Sequence, residues 1–120
     1  MKKLFAIILF SLLFLGCELL IIIDKEYTHI LEGRYSSNVV YHIDGNYIYS
    51  GRYGFEVIYR IEGNLIYSGR FGNTVAYRIE DNLIYIGRHD NTVYGRIQNN
   101  LIYQGRYSSN VLYRIERYRW

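Results

Sequence analysis

Proline is absent from this chain of 120 residues, and cysteine, tryptophan and methionine occur once each. A single cysteine cannot close an internal disulfide, and it excludes a cysteine-rich zinc site. The length leaves room for one small domain. What the chain has in quantity is tyrosine, 15 residues against 5 phenylalanines, and half of all residues are hydrophobic. That composition argues against wholesale disorder.

The N-terminus reads as a targeting segment. Lys2 and Lys3 precede the apolar run Leu4 to Leu15, which ends at Gly16-Cys17. A basic start, an apolar stretch and a small residue are the marks of a secretory signal. The segment Leu13-Phe14-Leu15-Gly16-Cys17 resembles a bacterial lipoprotein signal, which implies cleavage before Cys17 and a lipid on that cysteine. Residues 1–16 are then the signal peptide, 17–26 a tether and 27–120 the folded domain. The alternative is an uncleaved anchor, because Leu4 to Ile23 is long enough to span a bilayer and is interrupted only by Ser11, Gly16, Cys17 and Glu18. Either reading implies an extracytoplasmic, membrane-held protein of the bacterial cell envelope. Loss of Lys2 and Lys3 lowers the formal charge from +3 to +1, with 12 basic residues against 11 acidic ones. A nucleic-acid partner is therefore not expected.

The rest of the chain is a repeat. Gly-Arg stands at 33–34, 51–52, 69–70, 87–88 and 105–106, a period of 18 without insertion or deletion. Each unit holds two β-like runs, Val-x-Tyr-Arg-Ile (Val57 to Ile61) and Leu-Ile-Tyr (Leu65 to Tyr67), around turn residues such as Glu62-Gly63-Asn64. This predicts an all-β chain of hairpins linked through Gly-Arg. A three-residue loop would set Ile61 opposite Leu65 and Tyr59 opposite Tyr67 on one apolar face; a two-residue loop at Asp44-Gly45 would set Ile43 against Asn46. The three-residue loop is the one expected.

The ends carry half-repeats. Residues 27–32 occupy the place of a second strand just before Gly33-Arg34, and the final unit has a first strand, Val111 to Ile115, with no partner after it. Pairing them completes five hairpins and closes a propeller-like ring, which hides both sheet edges. Through its Gly-Arg, Tyr-Arg-Ile and Asn-x-Ile-Tyr phrases, the stretch Tyr27 to Trp120 resembles the beta-flower proteins, radial arrangements of short hairpins. The resemblance implies a pseudo-five-fold member of that family, and it brings no activity with it.

Candidate sites are few. Tyr41, Tyr59, Tyr77 and Tyr113, with Tyr49, Tyr67, Tyr85 and Tyr103, recur in phase and are expected in the core. Arg60, Arg78, Arg96 and Arg114 are expected to pair with Glu62, Glu80 and Glu116 on a solvated face. Gly-Arg lacks the glycine-rich run into a helix that a phosphate loop needs. His29, His42 and His89 sit in different repeat phases without metal-ligand spacing. Gly95 replaces a strand tyrosine and predicts a gap in the aromatic ladder. The tail Arg117-Tyr118-Arg119-Trp120 breaks the repeat and is the candidate contact surface. No catalytic residues, metal or cofactor are expected. The expected function is a structural or protein-interaction module, with glycan or peptidoglycan binding through exposed Tyr and Trp as the alternative.

Overall fold

A computed structural model describes residues 26–119. The signal segment 1–16, Cys17 and most of the tether lie outside the described residues, as does Trp120. Ten strands follow one another: β1 (Glu26–Glu32), β2 (Val39–Asp44), β3 (Tyr47–Ser50), β4 (Val57–Glu62), β5 (Leu65–Ser68), β6 (Val75–Glu80), β7 (Leu83–Ile86), β8 (Val93–Gln98), β9 (Leu101–Gln104) and β10 (Val111–Arg119). Each pairs antiparallel with its neighbours in sequence, and β1 pairs with β10, so the sheet closes into a barrel. No helix among the described residues is long and apolar enough to cross a membrane.

The predicted closure holds in detail. Leu31 lies opposite Arg114 and Glu32 opposite Tyr113, and the Gly33 amide donates to the Leu112 carbonyl at 2.8 Å. The same bond joins Gly51 to Val40 and Gly69 to Ile58, both at 2.7 Å, so this seam is built like the joints within the chain. Each of these glycines has φ between 64° and 74°, a left-handed conformation that costs a residue with a Cβ and explains the glycine of every Gly-Arg. The ring differs from a propeller of separate blades, because adjacent hairpins are hydrogen-bonded to each other as well.

The hairpin register corrects the three-residue loop. Ile61 faces Ile66 and Glu62 faces Leu65, leaving only Gly63-Asn64 in the turn; Asp44 faces Tyr47 around Gly45-Asn46 in the same way. The first turn residue is left-handed in every hairpin, at Gly45, Gly63, Asp81 and Asn99, which is the backbone that matches strand twist. The tighter loop brings isoleucine onto isoleucine: Ile43–Ile48, Ile61–Ile66, Ile79–Ile84, Ile97–Ile102 and, across the seam, Ile30–Ile115. These ten side chains form the buried core.

Above this layer, Tyr41, Tyr59, Tyr77, Tyr94 and Tyr113 pack on the isoleucines. Their rings meet edge-on or tilted, at 6.0 Å (Tyr41–Tyr59), 5.8 Å (Tyr59–Tyr77), 5.1 Å (Tyr77–Tyr94) and 6.3 Å (Tyr41–Tyr113). Together with the isoleucines they line an apolar cavity of about 80 Å³. Burial raises the hydroxyl pKa of Tyr41, Tyr59 and Tyr94.

Tyr94 fills the gap expected at Gly95. Ile84 pairs with Gly95 and Tyr85 with Val93, so Tyr94 is the extra residue of a β-bulge. Ile84 and Tyr85 face opposite sides, hence Val93 and Gly95 do too, and the extra residue absorbs the change of face. The equivalent bulge falls at Ile58, next to Tyr59. Either of the two bulge positions can therefore supply the inward ring. A Cβ on Gly95 would come within 2.9 Å of the Tyr103 carbonyl and 3.2 Å of Ile102, so a side chain there needs a shift of the backbone.

Candidate functional site

With the interior filled by repeated apolar side chains, candidate chemistry lies on the outer wall and the loops. The same register that pairs the isoleucines turns the second tyrosine set outward. Tyr67, Tyr85 and Tyr103 are not core, in contrast to the expectation for that set; they carry Arg60, Arg78 and Arg96 on their faces at 4.4, 4.5 and 4.4 Å. The arginines also make the expected acidic pairs. Arg60–Glu62, Arg78–Glu80 and Arg114–Glu116 are 2.8, 2.9 and 2.9 Å apart.

A further task of these arginines was not legible in the sequence. Arg60 Nη1 donates to the carbonyls of Arg70 and Gly72 at 2.9 and 3.0 Å. Arg78 reaches Arg88 and Arg96 reaches Arg106, each at 2.8 Å. Arg114 makes the same bond across the seam, to Arg34, at 2.8 Å. Each strand arginine therefore fastens the following long loop against the wall.

Those loops, residues 33–38, 51–56, 69–74, 87–92 and 105–110, all leave one end of the barrel, since each runs from an odd strand to an even one. The tight turns occupy the other end. The residue after each Gly-Arg is a ring: Tyr35, Tyr53, Phe71, His89 and Tyr107. The four larger ones are 89%, 81%, 84% and 88% exposed. Phe55, also in such a loop, is 91% exposed. In the sequence this stretch reads as a link, yet a ring stands in phase beside each Gly-Arg and marks the exposed surface. Arg34, Arg52, Arg70, Arg88 and Arg106 are exposed beside the rings. Arg70 lies over Tyr47 at 4.8 Å, and Arg88 donates to the Tyr67 hydroxyl at 3.5 Å.

The seam wall differs from the others. His29 and His42, separate in repeat phase, stand directly opposite each other in β1 and β2, with Glu116 on the far side of His29. His42 takes the strand-arginine position. It stacks on Tyr49 at 4.9 Å and 6°, and its Nδ1–H donates to the Gly51 carbonyl at 2.7 Å. His29 Nδ1 is buried without a hydrogen-bond partner. Burial, then the charges of Arg52 and His42, hold the His29 pKa below its usual value. Among the described residues, no group of three or more His, Cys, Asp or Glu side chains is placed to hold a metal ion.

Of the tail, Arg117, Tyr118 and Arg119 extend β10 alongside β1. The Tyr118 ring lies 4.7 Å from His29, and its hydroxyl donates to Glu116. That bond, with the one from Arg114, lowers the Glu116 pKa.

No curated protein and no solved structure matches the chain. One family does, described as 6-fold beta flower protein, over residues 16–119. With its hairpin repeats closed into a single antiparallel ring, the chain belongs to the beta-flower family.

Proposed function

We propose that this protein is a five-fold beta flower that acts as a non-enzymatic protein-interaction module of the bacterial cell envelope, held to a membrane through lipid on Cys17. The carrying observation is the set of exposed rings after Gly-Arg. Burial does not account for rings that are more than four-fifths exposed, and exposed aromatics beside arginine are what binding surfaces concentrate. The five loops hold Arg34, Arg52, Arg70, Arg88 and Arg106 against only Glu56 and Asp90. The partner is accordingly an acidic protein surface, steered by charge and anchored on the rings. Support for the five-fold count comes from the 18-residue period and the Ile30–Ile115 seam pair.

Orientation agrees with a tether. Glu26 pairs with Arg119 at the end of the barrel that carries the tight turns, opposite the loops. A lipid on Cys17 then points the loop rim away from the membrane, and leaves Arg117 and Tyr118 of the tail as a second contact near the anchor. Labelling with a fatty-acid analogue tests the anchor: Cys17→Ser abolishes the label. For the rim, cross-linking in intact envelopes compares the wild type with Y35A/F71A/Y107A. A protein adduct that is lost in the triple variant supports the reading, and an adduct of equal yield contradicts it. Glycan binding is the second reading, favoured by the flat exposed faces; a glycan array signal that disappears in the same variant would establish it.

A further inference from the structure

At two of the joints between hairpins a trough lies on the outer wall, overhung by the loop that follows. At an ordinary joint it holds Leu83, Arg96, Gln98, Arg106 and Tyr107, and measures about 560 Å³. At the seam the corresponding places hold His29, His42, Asp44, Arg52 and Tyr53, and the trough measures about 720 Å³. The tight turn that lines the ordinary trough, Asp81-Asn82, has no counterpart here, where β10 and β1 pair without a turn between them. The strand ends run on instead, and bring Tyr27 and Tyr118 to the trough, while Phe55 flanks it from the loop.

Three differences separate it from the repeats. Arg96 fills the ordinary trough and has its donors committed, to Gln98, to the carbonyls of Arg106 and Ser108, and to the face of Tyr103. His42, by contrast, is shorter and lies flat on Tyr49, which leaves space above it. With Nδ1–H on Gly51, Nε2 is the ring nitrogen left to meet a ligand. Second, Arg52 makes no hydrogen bond or ion pair among the described residues, although its charge is felt at His29 and Tyr118. Third, aromatic faces are concentrated here. Tyr53, Phe55 and Tyr118 are 81%, 91% and 44% exposed.

We propose that the seam trough binds a saccharide unit that carries a carboxylate. The guanidinium of Arg52 supplies a planar fork for the acid. The C–H face of a sugar ring fits against a flat aromatic face, and a hydroxyl finds a hydrogen-bond partner in His42 Nε2. An open trough of this size admits one unit of a longer chain. The site is distinct from the rim defined by Tyr35, Phe71 and Tyr107, so neither reading depends on the other.

Calorimetric titration of the full chain in detergent micelles tests it, with digalacturonate, its methyl ester and inorganic phosphate as probes. The expected result is digalacturonate binding that weakens at least tenfold in Arg52→Gln and with the ester, and persists in Y35A/F71A/Y107A. Tyr118→Ala, which leaves Arg52 in place, is expected to weaken digalacturonate severalfold. Absence of binding, equal binding to Arg52→Gln, or equal binding of the ester overturns the proposal. So does phosphate binding as tightly as digalacturonate, which would mark an anion site without sugar recognition.

Discussion

The seam and the ordinary joints are the same inside and different outside. Within the barrel, Ile30 meets Ile115 as Ile61 meets Ile66, and Gly33 bonds Leu112 as Gly69 bonds Ile58. On the wall, the ordinary joints carry an arginine stacked on tyrosine, and the seam carries two histidines with Arg52 nearby, which makes no hydrogen bond or ion pair among the described residues. Interior packing demands equivalence, because a closed ring of identical pairs leaves no slack for one that differs. The wall makes no such demand. Differences there are where individual function is to be sought.

Perturbing the shared interior should give the largest effect. Tyr94→Ala removes one ring of five and should cost about 2–4 kcal/mol of stability, by urea unfolding. Y94V/G95Y, which moves the ring to its place in the other units, should recover most of that loss. Failure of the pair to recover would mean that the bulge does not offer two equivalent positions. Three of these rings, Tyr41, Tyr59 and Tyr94, predict alkaline unfolding. Their folded pKa values lie above the ordinary 10.0, so their contribution is complete below pH 10 and disappears as pH rises beyond it. Tyrosinate absorbance should include a step that coincides with loss of the sheet signal in circular dichroism, and no such step if Tyr41, Tyr59 and Tyr94 were exposed.

Next comes the wall. Arg78 is buried, pairs with Glu80, bonds Gly87 and Arg88, and stacks on Tyr85. Arg78→Ala should cost about 2 kcal/mol and increase amide exchange in loop 87–92. His42→Ala, with one backbone bond and one stack, should cost about 1 kcal/mol. Equal losses would erase the distinction between joint and seam.

The smallest effect is a pH dependence confined to the seam. His29 has a folded pKa below its unfolded 6.5, so the unfolded chain binds the proton first. Stability is highest above pH 6.5 and falls as pH drops towards the folded value. Glu116, whose pKa is also lowered, contributes in a different range: its share is present above the usual 4.5 and is lost in stronger acid. His29→Leu, the residue at three of the other four joints, should flatten the first slope in a thermal-melt series and leave the second.

Much of the architecture was legible in the chain. The Gly-Arg period, the β-branched runs and the two half-repeats at the ends required hairpins and a closing pair. Register was not legible, for a physical reason. Val57, Tyr59 and Ile61 alternate as if on one face, but the bulge at Ile58 puts Val57 on the opposite side from Tyr59. A period-two pattern carries no mark of that extra residue. The pairing of Arg60 with Tyr67, and hence the outward second tyrosine set, follows from the two-residue turn. His29 and His42 were brought together only by ring closure and the β1–β2 pairing, which no local spacing encodes.

Closure can be tested at one pair of positions. In a Cys17→Ser background, His29→Cys and Glu116→Cys place thiols on directly opposed residues of β1 and β10, within the span a disulfide bridges. Mild oxidation followed by peptide mapping should recover a single intramolecular link between the two strands. Thiols that stay free, or that join separate chains, would show that the ends do not meet and that the ring is open.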